Sequence, residues 1–220
     1  MPIYKKVDKK FFKKWSPSMA YILGFIFADG NIICTKRKTW FLSIQITDKE
    51  ILEKMKIKLG SSHVISERKT RPGHKRLYRL QIGSKDMCSD LLNLGLTERK
   101  SKTLKFPRVP KKYFFDFLRG YFDGDGGVWV GLKNKKNTTK TLVISTYFTS
   151  GSRDFLLTLK NILTKKGFSG GSLVTKERGF DLKYSIKNSL LLCKNMYNSN
   201  CLLFLSRKKG KFEKYIKMRS

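Results

Sequence analysis

The sequence predicts an α+β protein made of two pseudo-two-fold-related αββαββα subdomains. Three observations predict it. First, a segment recurs: SPSMAYILGFIFADGN (residues 16–31) aligns with KKYFFDFLRGYFDGDGG (residues 111–127), placing Gly24 on Gly120, Ala28 on Gly124, Asp29 on Asp125 and Gly30 on Gly126, each pair 96 residues apart. Second, each copy is followed by pairs of runs with an apolar residue at every second position, the period of a half-buried strand. Third, capped segments with helical periodicity separate those pairs. A repeat this long does not build a solenoid. It fits two fused copies of one small domain, whose two-fold relation lets the same segment from each copy meet itself.

In the first copy, the apolar segment ending at Asp29 reads as a helix despite an interior glycine, which costs about 1 kcal/mol relative to alanine. Ala20, Gly24 and Ala28 recur every fourth residue, and Gly120 with Gly124 forms the matching stripe. Such small-residue stripes let two helices approach nearly backbone to backbone. NIICTKR and KTWFLSIQIT read as strands. In TDKEILEKMKIKLG, Thr47 and Glu50 have capping-box spacing, Ile51, Leu52, Met55 and Leu59 give an apolar face, and Gly60 stops the helix. SHVISERK and KRLYRLQIG read as strands, and SKDMCSDLLNLG as a helix from Ser84 to a stop at Gly95.

The join falls in the proline-containing KFPRVPKK, giving subdomains over residues 1–106 and 114–220 with a linker over 107–113. The second copy repeats the order. GVWVGLK and KTLVISTYFT are strands, SGSRDFLLTLKNILTKKG is a helix, and SLVTKE and GFDLKYSIK are strands. A helix near residues 188–197 and a basic terminal helix follow.

Charge narrows the function. The 220 residues carry 48 Lys and Arg against 16 acids, a net charge of +32. That excess repels itself in the folded state and points to a polyanionic partner, nucleic acid or an anionic membrane surface. The 28 aromatic residues are interleaved with the lysines, so the charge belongs to a folded surface rather than a tail. Solvated lysines of a Lys-rich proteome are the plain alternative. No basic amphipathic helix with a clean apolar face favours a membrane surface, and the longest apolar run, residues 19–28, is too short to span a bilayer. Cys34, Cys88, Cys193 and Cys201 form no CxxC pair, with only His63 and His74 to help. Structural zinc is therefore not expected, and scattered cysteines suit a reducing, intracellular setting.

Asp29 and Asp125 stand at the C-terminal ends of their apolar helices, where the helix dipole is negative and carboxylates are least welcome. If the two glycine-faced helices cross, the acids come together and only bound divalent cations relieve them. The alternative is that each Asp-Gly pair is an ordinary turn signal; two copies in register with matching glycines favour the first reading. An EF-hand is excluded, because its fifth and twelfth positions would be Gly127 and Asn134.

ILGFIFADG (residues 22–30) and LRGYFDGDG (residues 118–126) resemble the two LAGLIDADG motifs of a single-chain homing endonuclease, and the resemblance covers almost the whole chain. It implies saddle-forming antiparallel sheets lying on long double-stranded DNA. It also implies divalent-metal-dependent hydrolysis of both strands across the minor groove, leaving short 3′ overhangs. Asp29 and Asp125 would be the metal-binding catalytic acids, and Asp123 matches a motif acid that Phe27 replaces in the first copy. Lys100 and Lys208 match the basic residue near the end of each copy, which polarises phosphate or helps activate water. The alternative for each is an ordinary exposed lysine. Asp48 and Ser150 match a polar position that organises water. Ala28 and Gly124 would add carbonyl ligands, and Ala20, Gly24 and Gly120 would form the helix interface.

Carboxylates, phosphate and water suit Mg2+ or Mn2+, and Ca2+ would occupy such a site without supporting cleavage. Strand alternation nominates Ser43, Gln45, Arg79, Gln81, Lys183, Ser185 and Lys187 for the DNA face, with Thr35, Arg37 and Lys133 extending the first strands. For each of these, a merely solvated residue remains open. The expected enzyme is a monomer of a bacterial or archaeal cytoplasm or an organelle matrix. With no splicing domain in the sequence, it is expected to be free-standing or intron-encoded. The alternative on the same scaffold is a maturase that binds intron RNA without cutting DNA.

Overall fold

The structure is a computed structural model that describes residues 5–68, 73, 75–98, 100–134, 140–198 and 201–219. His74 lies outside them. Helix α1 (Pro17–Asp29) leads into strands β1 (Gly30–Cys34) and β2 (Trp40–Ile46), helix α2 (Lys49–Lys58), strands β3 (Ile65–Arg68) and β4 (Leu77–Gly83) and helix α3 (Lys85–Asn93). The order repeats as α4 (Phe114–Asp125), β5 (Gly126–Asn134), β6 (Lys140–Ser150), α5 (Arg153–Lys165), β7 (Ser172–Lys176), β8 (Gly179–Tyr184) and α6 (Ile186–Met196), and α7 (Ser206–Lys217) follows. The fold is α+β. Both sheets are four-stranded and antiparallel with the same strand order, β1-β2-β4-β3 and β5-β6-β8-β7.

Contacts divide the chain into two compact units, residues 1–100 with 107–124, and residues 101–106 with 125–220. Helix α4 up to Gly124 thus packs in the first unit, while its last residue, Asp125, belongs to the second.

In the first unit α1 is buried from Met19 to Phe27, which is why its sequence is apolar all round rather than on one stripe. Ser16 caps it by accepting the Met19 N–H at 3.1 Å, with Pro17 in the first turn. Leu42, Ile44 and Ile46 of β2 and Leu80 and Ile82 of β4 are buried. Ile51, Leu52 and Met55 of α2 and Met87, Cys88 and Leu91 of α3 complete this core. Ser84 caps α3 as expected.

The capping box expected at α2 does not form. The helix starts a residue later, with Asp48 at the N-cap; Thr47 Oγ1 donates to Asp48 Oδ2 at 3.4 Å, and Glu50 accepts from Lys54 Nζ at 2.6 Å.

The side of α1 facing α4 carries a buried polar cluster. Tyr21 Oη donates to Asp123 Oδ2 at 2.8 Å, and the buried Arg119 guanidinium lies 5.3 Å from the Tyr21 ring and 2.8 Å from Asp116 Oδ1. Removing the hydroxyl takes a donor away from a buried carboxylate oxygen. Tyr21→Phe is therefore expected to lower stability by about 1–3 kcal/mol, read as a lower urea midpoint at unchanged slope.

His63 makes stability pH-dependent. Its ring accepts the Gly83 N–H at Nε2 (3.4 Å) and pairs through Nδ1 with Ser61 Oγ (3.0 Å). Burial lowers its pKa below the usual 6.5, helped by the nearby positive charges of Lys5 and Lys56. Because the folded pKa is the lower one, this contribution is complete above pH 6.5 and is lost as pH falls through the folded pKa. Thermal melts should show the transition falling on acidification below that point, with a flatter profile in His63→Gln.

In the second unit α5 packs on β6 and β8, α6 on β6, and α7 on β5. Ser189 ties α6 to the sheet, donating to the Tyr184 carbonyl at 3.1 Å and accepting the Thr146 N–H at 2.9 Å. The last expected strand is shorter than its alternation suggests. Strand β8 stops at Tyr184, Ser185 is the N-cap of α6, and Lys187 lies in that helix's first turn. Neither is a strand residue.

Candidate functional site

At the motif helices, glycine is required by close approach. A Cβ on Gly24 would run into the Phe117 carbonyl oxygen and stand 2.9 Å from the Tyr121 nitrogen; one on Gly120 would run into the Tyr21 carbonyl oxygen and stand 2.9 Å from the Phe25 nitrogen. Helix α1 and residues 114–124 of α4 therefore touch main chain to main chain. Gly124 lies against the Ala28 methyl group, with Asp29 Oδ2 3.4 Å from where its own Cβ would be. Ala20 is fully buried in α1. Phe27, which stands where the second motif has Asp123, packs edge-on against Phe117 at 5.6 Å.

Asp29 is the last residue of α1 and Asp125 the last of α4. Each has a lysine docked on the main chain beside it. Lys100 Nζ donates to the carbonyls of Ile26 (2.6 Å), Phe27 (2.6 Å) and Ala28 (2.7 Å). In the second unit Lys208, only 5% exposed, donates through Nζ to the Gly126 carbonyl at 2.6 Å. The Lys100 ammonium, on carbonyls of the last turn of α1, opposes the negative end of that helix's dipole, whereas the carbonyl that Lys208 holds is that of the first residue of β5.

Asp48 lies two residues past the end of β2, and Ser150 is the last residue of β6. Gly30, directly after Asp29, pairs with Ile44 of β2, the strand that leads to Asp48; Gly126, directly after Asp125, pairs with Phe148 two residues before Ser150. Asp48 is the N-cap of α2, whereas Ser150 is buried and accepts the Ser152 N–H at 3.1 Å. By this register Asp48 corresponds to Ser152, each the N-cap of the helix that follows its strand, and Ser150 corresponds to Ile46, so Asp48 and Ser150 are not the matching pair that the sequence suggested.

The donors suit a hard cation. Among the described residues no three His, Cys, Asp or Glu side chains gather into a metal cage. One or two carboxylates completed by water and phosphate are the setting magnesium takes. Lys100 already holds the Ala28 carbonyl, which disfavours Ala28 as a ligand because a metal there would meet an ammonium.

The sheet faces away from the helices hold most of the remaining candidates. Gln45 pairs with Arg79 and Ser43 with Gln81, so the four share one face of the first sheet. Ser43 is on that face but only 3% exposed, contrary to the expectation of an outward residue. Among the described residues, Ser43 Oγ and Arg79 Nε are both buried without a hydrogen-bond partner. Thr35 and Arg37 do not extend β1. They lie in the turn closed by Thr35 N–H to the Thr39 carbonyl and Lys38 N–H to the Thr35 carbonyl, with Lys38 at φ +56°. Lys133 lies in β5 and Lys183 in β8.

The family model for the LAGLIDADG-like domain matches residues 16–101 and again residues 114–197. The chain belongs to the LAGLIDADG family. An uncharacterized protein of Methanocaldococcus jannaschii is 34% identical over 119 residues, which is 51% of this chain and 40% of that protein. This chain spans less than half the length of each of the three curated relatives compared. The LAGLIDADG meganuclease I-AabMI, solved bound to uncleaved DNA, is 15% identical with a TM-score of 0.62, covering 93% of this chain and 90% of that one. The I-SmaMI LAGLIDADG homing endonuclease, solved bound to cleaved DNA, is 14% identical with a TM-score of 0.61 over 93% and 89%. At such identity the likeness is one of fold.

Sequence reasoning missed several residues of this LAGLIDADG chain that the open face of its second sheet brings together. Trp129, Lys133, Ser145, Tyr147, Lys176, Asp181 and Lys183 line a cleft of about 390 Å³ there. Alternation alone would have placed Asp181 beside Lys183, two residues on. Nothing local indicated that its carboxylate would be buried on an open face. Among the described residues no helix is long and apolar enough to cross a membrane.

Proposed function

We propose that the chain is a site-specific double-strand DNA endonuclease that acts as a monomer on a long duplex target. The observation that carries this reading is the acid–lysine pairing at both motif ends. Asp29 has Lys100 on the carbonyls just before it, and Asp125 has Lys208 on the carbonyl just after it. A protein that only binds nucleic acid needs lysines on its surface. It does not need a carboxylate with an ammonium docked on the main chain beside it in each copy. The DNA held by I-AabMI and I-SmaMI, uncleaved in one and cleaved in the other, supports the same substrate.

In this reading Asp29 and Asp125 hold Mg2+ or Mn2+ with phosphate and water, and Gly124 offers a carbonyl. Such a cation supplies charge relief at phosphate and a more acidic water. Lys100 and Lys208 keep positive charge at the motif ends, where the phosphorane would gain negative charge. Asp48 and Ser150 would orient water. The net charge of +32 anchors the DNA backbone and makes affinity strongly salt-dependent. Cleavage across the minor groove would leave short 3′ overhangs.

The test is selection of cut molecules from a random duplex library with Mg2+, followed by sequencing of the ends. Recovery of one site with paired breaks supports the proposal. Tight binding of a folded intron RNA with no cut duplex at any site would replace it with the maturase reading.

A further inference from the structure

The cleft on the open face of the second sheet is built rather than incidental. Its floor is made of two aromatic rings packed over glycines. Tyr147 lies across its strand partner Gly127, where any Cβ would strike the ring, and the Trp129 indole lies over Gly131, 2.5 Å from where a Cβ would sit. Trp129 remains 43% exposed. Lys133 Nζ stands 6.0 Å from the Trp129 ring centroid and Lys176 Nζ 5.9 Å from that of Tyr147.

Among the lining residues is Asp181, a carboxylate only 2% exposed in a cleft that also holds Lys133, Lys176 and Lys183. Its Oδ1 accepts from Thr149 Oγ1 at 2.8 Å, and its Oδ2 lies 3.0 Å from Lys176 Nζ and 3.7 Å from Lys183 Nζ. One carboxylate thus gathers two ammoniums that would otherwise repel each other. Each ammonium has three N–H donors, so both keep donors for a ligand.

Two ligands compete for such a cleft, a backbone phosphate or a base edge. A phosphate site gains from every positive charge and loses from a carboxylate within 4 Å of the ammoniums. A base-edge site needs direction more than charge, which is what a buried carboxylate and flat rings supply. The Lys176 and Lys183 ammoniums only donate, which fits an edge that only accepts, and in the major groove guanine presents O6 and N7. We infer that Asp181 is a positioning residue that aims Lys176 and Lys183 at a guanine edge over the Trp129–Tyr147 floor, making this cleft a specificity determinant for G·C pairs. The inference rests on the DNA-endonuclease reading.

The experiment uses the full chain and its selected duplex, with every base pair substituted in turn and binding measured in Ca2+ at several salt concentrations. The parent should prefer G·C at one or two adjacent positions by roughly ten- to a hundredfold. Asp181→Asn should remove most of that preference there, leaving other positions and the salt slope unchanged. Lys183→Gln, at a half-exposed position, gives the same readout if Asp181→Asn fails to fold. An unchanged base profile in both variants, with the salt slope of Lys183→Gln lowered by about one, overturns the inference in favour of a phosphate contact. Equal weakening at all positions overturns it in favour of a purely structural role. A parent that binds no duplex specifically removes the endonuclease reading, and this inference with it.

Discussion

Asp29→Asn is expected to abolish double-strand cleavage while leaving DNA affinity within a fewfold of the parent. Asparagine keeps the shape of the carboxylate and removes its charge, so the end of α1 and its Lys100 cap stay in place. Binding draws on many lysines, and losing one acid from a chain of net charge +32 does not weaken it. The rate responds differently. Losing one carboxylate of a cation site forfeits several kcal/mol of charge stabilisation in the transition state, roughly a thousandfold or more in the cleavage step. Asp125→Asn should behave alike. Single-turnover cleavage and gel-shift binding on the same duplex separate the two quantities. A variant that binds and cuts at the parental rate removes that aspartate from the active site.

How far such assignments are legible in the sequence depends on whether the physics is local. The helices and strands are legible because period and caps are local. Ser16 and Ser84 cap the helices they precede, and the apolar residues of β2 and β4 alternate in the sequence as they do in the sheet. The errors lie where one local pattern runs into another. Tyr184, Ser185 and Ile186 continue the alternation of β8, yet Ser185 opens α6, and the Ser189 hydroxyl that fixes the junction is a non-local feature. Thr35 and Arg37 read as strand because nothing in CTKRKT announces the turn that Lys38 makes at positive φ.

The chemistry is legible in part. The repeat marks Asp29 and Asp125. The bonds from Lys100 to α1 join residues 72 to 74 positions apart, and no sequence pattern states that an ammonium will sit on those carbonyls. Asp181 shows the same limit. Its burial follows from two lysines and a threonine folding over it from β7, β8 and β6.

Gly24→Ala tests the packing that holds the first motif, and two opposed effects decide its sign. In an exposed helix, alanine is favoured over glycine by about 1 kcal/mol. At Gly24 the new methyl meets the Phe117 carbonyl oxygen, with the Phe117 carbonyl carbon and the Tyr121 nitrogen both at 2.9 Å. These are main-chain atoms of a helix and cannot rotate aside, so the helices must separate. Overpacking of this kind costs about 1–3 kcal/mol and sometimes more, which outweighs the propensity gain. The expected result is a net loss of about 2 kcal/mol, seen as a lower urea midpoint.

Gly120→Ala should do the same against the Tyr21 carbonyl. The double variant should lose less than the sum, because one separation of the helices relieves both contacts. Gly210 supplies the contrast. It lies inside α7, where an added methyl would meet nothing within 4 Å, so Gly210→Ala should stabilise by up to about 1 kcal/mol. If Gly24→Ala raised the midpoint as Gly210→Ala does, the two motif helices would not be in main-chain contact in solution, and the glycine stripe would need another explanation.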